Sequence, residues 1–305
     1  METVFVLIKQ VIIMFVLMSV GYICYKKKLI SDQGSKDIGN ILLYVAIPVV
    51  IVSNFHVERT AEKTQAFFYS ILFSFLAMLA AMIISYLIYH KKDGVSEFSA
   101  TFSNSGFVGI PLIQAVVGSH AIFYISMMIV LTGVLQWTYG VFAISGDKSA
   151  MKPKKVLSNP VVIAVFIGSI IFFGNITLPS MVSNVFSIIS GLNTPLAMIV
   201  SGVYLAQSDL LGMLRKKKVY EVSLIRLILI PLVTIVIFRM IPYENVDMLL
   251  AILLAAACPV GSNVAIYAQQ YDKDYTSAVE NVCISTILSI ITLPLVVMIA
   301  SFLFR

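Results

Sequence analysis

The sequence predicts an all-α polytopic membrane protein, and three observations carry that prediction. The chain of 305 residues is 59% hydrophobic and only 12% charged, against roughly 25% charged residues in a soluble globular protein. Apolar segments of about 20 residues, long enough to cross a bilayer, recur along its whole length. The basic residues cluster in short stretches between those segments, where setting topology is their expected role. A net charge of +6 is therefore not read as a nucleic-acid surface. The lipid bilayer is the expected surrounding, and no nucleic-acid partner is expected.

Ten segments follow in order. The first, residues 4–25, meets Lys26-Lys27-Lys28, and Lys9 near its other end can snorkel to the interface. It is too long for a signal peptide's apolar region and has no basic stretch before it, so a retained helix is expected. The second, residues 38–55, contains Pro48, with Ser53 and Asn54 near its end. The third, residues 66–89, stops at His90-Lys91-Lys92-Asp93-Gly94. The fourth, residues 98–117, leads through Gly118-Ser119-His120 into the fifth, residues 122–144. A basic loop, residues 145–159, carries Lys148, Lys152, Lys154 and Lys155.

The second half opens with a short sixth segment, residues 160–173, followed by a pause at Gly174-Asn175 and Pro179. The seventh, residues 185–205, holds Asn193 and Pro195. Arg215-Lys216-Lys217-Lys218 leads to the eighth, residues 222–240. The ninth, residues 248–269, carries Cys258-Pro259, and Asp272-Lys273-Asp274 turns the chain into the tenth, residues 277–303.

Loop charge tests this layout. Fifteen Lys and Arg fall in the odd-numbered loops and four on the opposite side, with Lys9 and Arg226 left inside segments. The positive-inside rule then expects basic loops in the cytoplasm, both termini outside and a multi-pass protein of the cell membrane. Five segments on either side of a basic loop give the halves opposite orientation. Each half has a Pro in its second segment (Pro48, Pro195) and a broken fourth segment. The expected architecture is ten transmembrane helices in two inverted five-helix repeats with crossed, broken helices 4 and 9. The repeats would be residues 1–145 and 159–305, joined by a cytoplasmic linker at 146–158.

The breaks are where chemistry is expected. Phe102-Ser-Asn-Ser-Gly-Phe-Val-Gly-Ile-Pro111 and Ala257-Cys-Pro-Val-Gly-Ser-Asn263 gather Pro, Gly, Ser and Asn in mid-segment. Pro removes a backbone donor and Gly loosens the ladder. In hydrocarbon the freed groups are tolerated only where protein or a watery cavity satisfies them. Half-helix N-termini attract carboxylates; C-termini and unwound carbonyls attract cations. Asn104, Ser105, Ser262 and Asn263 would add neutral donors and acceptors. Gly106, Gly109 and Gly261 would let a ligand approach the backbone, and Pro111 and Pro259 mark the breaks. Cys258 reads as a small packing residue within the second break.

Other polar residues carry two readings each. Single prolines usually only kink a membrane helix, which is the reading for Pro48, Pro195, Pro231 and Pro294. Asn54 and Asn193 either line the site or bridge helices. Glu97 and Glu280 stand at segment starts, where interface charge is ordinary, yet Glu280 with Asn281 could carry a proton or hold a coupling cation. The lysine triplets are topology signals before they are anionic-lipid sites.

Enzyme readings find no support. The sequence has no His/Asp/Glu cluster with metal spacing, no Ser or Cys nucleophile beside a base, and no phosphate loop with its Lys. Cys24, Cys258 and Cys283 lack paired spacing, so neither disulfides nor zinc are expected. No cofactor is expected.

At the two breaks the sequence resembles the auxin efflux carrier family, including its bacterial members. Asn104-Ser-Gly-Phe-Val-Gly-Ile-Pro111 and Cys258-Pro-Val-Gly-Ser-Asn263 carry the likeness, with Asn40-Ile-Leu-Leu-Tyr-Val-Ala-Ile-Pro48 and the run from Thr286 to Pro294. The resemblance implies a fold similar to the bile acid/sodium symporter superfamily. It implies a scaffold of helices 1, 2, 6 and 7 and a moving domain of helices 3–5 and 8–10. Homodimers through the scaffold and an organic-anion substrate are further implications. It carries crossover positions onto Asn104, Pro111, Pro259 and Asn263. The long hydrophilic loop of plant members is absent here, so their regulation does not transfer. Sodium-coupled relatives place acidic residues at the crossing, whereas neither break here contains Asp or Glu. Sodium, proton or no coupling therefore all stay open.

The expected function is a secondary transporter moving a small organic anion, such as malate, malonate or an auxin-like carboxylate, by elevator-type alternating access. The alternatives are a membrane receptor or sensor with a transporter fold, and a cation/proton antiporter.

Overall fold

The computed structural model describes residues 2–90, 92–147 and 157–304. Most of the expected linker at 146–158 lies outside the described residues. Within them the chain is helical: α1 (Glu2–Lys26), α2 (Asp32–Phe55), α3 (Ala61–Tyr89), α4 (Gly94–Thr101), α5 (Ser105–Val116), α6 (Ser119–Ser145), α7 (Pro160–Phe173), α8 (Ser180–Gln207), α9 (Leu210–Met213), α10 (Lys217–Arg239), α11 (Val246–Ala257), α12 (Asn263–Gln270) and α13 (Tyr275–Leu303). Seven of these, α1, α2, α3, α6, α8, α10 and α13, are long and apolar enough to cross a membrane, while α5, α7 and α11 are shorter apolar helices.

Several helices start earlier than hydropathy alone places them, because polar caps extend them past the apolar stretch. Ser31 Oγ accepts from the Gly34 N–H at 3.0 Å and starts α2 six residues before its apolar run. Thr60 Oγ1 does the same for α3, accepting from Lys63 N–H at 3.1 Å. Asn245 and Asp274 cap α11 and α13 in the same way. Each cap satisfies an N–H that the first helical turn leaves without a partner.

Three prolines act through π turns. Leu42–Ala46, Ser105–Gly109 and Ile225–Leu229 are π-helical, and each is followed by an Ile-Pro pair ending in Pro48, Pro111 or Pro231. A proline ring presses on the carbonyl four residues back. Those carbonyls belong to Tyr44, Phe107 and Leu227, at the middle of each π turn. Widening the turn relieves the clash without ending the helix. Pro195 instead follows a one-residue interruption at Leu192 in α8, and Pro294 sits inside an unbroken α13.

Two helix pairs make the most extensive contacts. α1 lies along α8, and α7 lies against the second half of α2. Elsewhere α3 packs on α4 and α6, α11 on α6 and α10, and α13 on α10 and α12. The α1–α8 pair is a backbone-to-backbone contact through glycines: a Cβ on Gly21 would fall 2.2 Å from the Ile199 carbonyl oxygen, and one on Gly202 2.0 Å from that of Met18. Small residues at a helix interface are how membrane helices approach closely without a hydrophobic drive between them. A ring cluster of Phe55, Phe67, Phe123 and Phe172 packs α2 and α7 against α3 and α6. The outer faces stay apolar, with Phe5, Ile12, Val16, Phe166 and Ile188 exposed, as lipid-facing helices require.

Candidate functional site

Both expected breaks are present, and they meet. The first separates α4 from α5 at residues 102–104; the second separates α11 from α12 at residues 258–262. The two unwound strands run antiparallel, with Ser103 opposite Val260. Asn104 N–H donates to the Pro259 carbonyl at 2.8 Å, and Gly261 N–H donates to the Phe102 carbonyl at 2.9 Å. Each break thus supplies a backbone acceptor for an N–H released by the other, the kind of internal satisfaction that unwound chain within a membrane needs. Pro259 can take part because it is used only as an acceptor. Gly261 suits this close approach: a Cβ there would lie 3.2 Å from the carbonyl oxygens of both Phe102 and Ser103, tighter than most Cβ contacts.

Side chains fasten the junction. Asn104 caps α5, its Oδ1 accepting from Phe107 N–H at 3.3 Å, while its Nδ2 donates to Ser262 Oγ at 3.1 Å. Val260 N–H donates to Ser285 Oγ of α13 at 3.0 Å. Asn263 Nδ2 donates at 2.9 Å to Gln136 Oε1, within a fourth π turn at Gln136–Gly140 of α6.

A cavity of about 520 Å³ opens against this junction. Asn104, Ser105, Gly106, Gly261, Ser262 and Asn263 line it, so six of the residues expected at the site come together. The other walls come from Asn40 and Tyr44 of α2, Thr132, Gln136 and Trp137 of α6, and Asn159 before α7. Among the described residues, no Asp, Glu, Lys, Arg or His lines it. The starts of α5 and α12 both face it, and the N–H groups at a helix start have no acceptor within the helix. Ser103, 3% exposed, also lines the cavity, and its Oγ has no hydrogen-bond partner among the described residues. A second cavity of about 690 Å³ shares Asn40, Phe107, Ser262 and Asn263 with the first and carries Asp32 and Lys36.

The remaining expected residues lie elsewhere. Gly109, Pro111, Cys258 and Pro259 stand behind the cavity rather than on its wall, with Gly109 packed toward Cys258 Sγ. Asn54 donates at 2.7 Å to the carbonyl of Val50 in its own helix and lines neither cavity. Glu280 is engaged by Lys216 Nζ at 2.6 and 2.8 Å through both carboxylate oxygens. That bond holds the Lys216 ammonium above its ordinary pKa. Asn281 Nδ2 donates to Ser99 Oγ at 3.2 Å, tying α13 to α4. Asn193 is buried with neither side-chain atom hydrogen-bonded among the described residues.

Two residues matter more than their sequence positions suggest. Arg226, left over in the loop-charge count, is 1% exposed, and its guanidinium reaches the carbonyls of Ala100, Thr101 and Ala256 at the ends of α4 and α11. Glu97, read as an interface charge, is also 1% exposed. It accepts from Tyr139 Oη at 2.5 Å and faces His90 Nδ1 at 3.6 Å. An intramembrane charge is itself a signal, and for Arg226 it was readable in the sequence. Gln136 and Trp137 gave no such signal, since one polar residue in an apolar segment is common.

Comparison with known proteins places the chain in a family. The model of a family described as "Membrane transport protein" matches residues 6–297. An uncharacterized transporter of Methanothermobacter thermautotrophicus is 24% identical over 305 aligned positions, covering 94% of this chain and 96% of the relative. An uncharacterized transporter of Methanocaldococcus jannaschii is 22% identical, covering 93% of this chain and 96% of its own length. The lysosomal cholesterol signaling protein of Mus musculus is 26% identical over 171 positions, 48% of this chain but only 20% of that protein. With apolar helices throughout and a family match across nearly the whole chain, the protein is a multi-pass membrane transporter of the membrane transport protein family, that of the auxin efflux carriers.

Proposed function

We propose that the chain is a secondary transporter of small organic anions, with the ligand carboxylate seated at the junction of the two breaks. The observation that carries this reading is the cavity wall: two helix starts and uncharged Asn, Ser and Gln side chains, with no acidic residue among the described residues. Each helix start presents roughly +0.5 of an elementary charge. Two of them facing one space supply about the charge that one carboxylate needs, and the Ser103 hydroxyl adds an uncommitted donor. Malate, malonate and auxin-like carboxylates are the substrate types in view, and the volume and the Trp137, Tyr44 and Tyr267 rings suit an organic body as well as a charged end.

The reading includes ten membrane crossings as two inverted repeats, with α4–α5 and α11–α12 each forming one broken crossing. The grouping of α1, α2, α7 and α8 supports a scaffold. The other helices would form the body that slides against it. A homodimer through the scaffold's lipid-facing side accompanies this. Basic loops are cytoplasmic and both termini outside, in the cell membrane. The second cavity, with Lys36 in the first turns of α2, would then open to the cytoplasm.

A thermal-shift screen of organic anions on purified protein in sodium-free detergent buffer tests the binding half of this proposal. Saturable stabilisation by mono- or dicarboxylates, lost in Asn263→Ala, supports it; stabilisation by none of them opposes it. Binding without flux would favour the receptor reading, to which the name of the mouse relative also points.

A further inference from the structure

The helix ends opposite the cavity have their own occupant. α4 ends at Thr101 and α11 at Ala257, and both ends abut the junction. A helix C-terminus carries roughly −0.5 of an elementary charge on carbonyls without intrahelical partners. Such ends, converging within a membrane, are where transporters hold coupling cations. Here Arg226 Nη1 donates to the Ala100 carbonyl at 3.0 Å and the Thr101 carbonyl at 2.9 Å, and Nη2 donates to the Ala256 carbonyl. The guanidinium is thus shared between both broken helices. A buried arginine ordinarily has an acidic partner; among the described residues Arg226 forms no ion pair with Asp or Glu. Its compensation is the pair of helix ends, which together supply about one negative charge. Its backbone lies in the π turn ahead of Pro231, so the same local widening accompanies the placement of the charge.

We propose that Arg226 is a tethered cation filling the place of a coupling ion at the junction, so that this chain takes no sodium between the ends of α4 and α11. The cation side of the junction is permanently occupied, and only the anion side exchanges its ligand. Glu280 and Asn281 are not needed for a cation there. The consequence for coupling rests on the transport reading; the site itself does not, and its test reads cation binding without any flux.

The test is thermal unfolding of purified wild type, Arg226→Ala and Arg226→Lys at constant ionic strength in sodium, guanidinium or choline chloride at tens of millimolar. Wild type should unfold at the same temperature in sodium and choline. Arg226→Ala should lose about 4 °C or more, recover part of it in sodium or guanidinium but not in choline, and Arg226→Lys should fall between the two. A saturable, sodium-specific rise in wild type would overturn the proposal. So would an Arg226→Ala protein that responds equally to all three salts. If Arg226→Ala does not fold, the wild-type sodium titration and Arg226→Lys still decide. Cation-selective rescue in a protein that moves no organic anion would keep the Arg226 assignment and remove the transport reading, so the two failures are separable.

Discussion

The side-chain amide of Asn104 donates to Ser262 Oγ at 3.1 Å, bonding two residues 158 positions apart that each sit in one of the two helix breaks. The same Asn104 caps α5 through its Oδ1. One side chain thus holds a helix start and the partner break together. Asn104→Ala should cost about 1–2 kcal/mol, the sum expected of a lost cap and a lost buried hydrogen bond. Ser262→Ala removes only the second, so thermal unfolding should show it as the milder change.

Gly202 and Gly21 set the spacing of α1 and α8. Gly202→Leu places carbon where the Met18 carbonyl already lies and should destabilise by ~2 kcal/mol or more, read as a lower midpoint in detergent. Gly39 in α2 is the control: an added Cβ meets nothing within 4 Å. Gly39→Ala should be neutral or stabilising by up to about 1 kcal/mol.

Asp93 and Lys218 form an ion pair at 2.7 Å. Burial pushes the Asp93 carboxyl up, but Lys218 and hydrogen bonding to Ser96 outweigh it, and the net pKa lies below the ordinary 3.8. A folded-state pKa below the unfolded value means the contribution is complete above that value and is lost as pH falls through the folded one. Lys218→Ala should therefore lower stability at pH 7, with the difference from wild type narrowing on acidification below the ordinary carboxylate range. A difference independent of pH would assign the effect to packing.

Tyr139 supplies the 2.5 Å hydrogen bond to buried Glu97. Tyr139→Phe leaves that carboxylate oxygen without its donor and should cost about 1.5–3 kcal/mol. Glu97→Gln in the same background should restore part of the loss, because the group left short of partners is then uncharged. A double-mutant cycle with unfolding midpoints measures it.

The helical character and the two breaks were legible in the sequence because a membrane leaves few solutions for backbone that must be satisfied. The breaks at Asn104 and Pro259 were visible as polar, Pro- and Gly-bearing stretches inside apolar segments, and the structure pairs them. Helix starts were less legible. Ser31 and Thr60 carry α2 and α3 beyond their apolar runs through caps that a hydropathy window does not register. The walls contributed by Gln136, Trp137 and Asn40 depend on which helices pack together, which no local pattern encodes. Asn54 illustrates the converse. Its amide bonds to its own helix at Val50, and nothing in its sequence context separates that from a site-facing amide.

The most direct test of the account is organic-anion flux in proteoliposomes by wild type and by Asn104→Ala/Asn263→Ala. A panel of labelled mono- and dicarboxylates should show saturable, counterflow-competent flux in wild type, at least ~10-fold lower in the double variant, as loss of two orienting amides predicts. Equal flux in both proteins, at matched folded protein, would contradict the placement of the ligand at the junction.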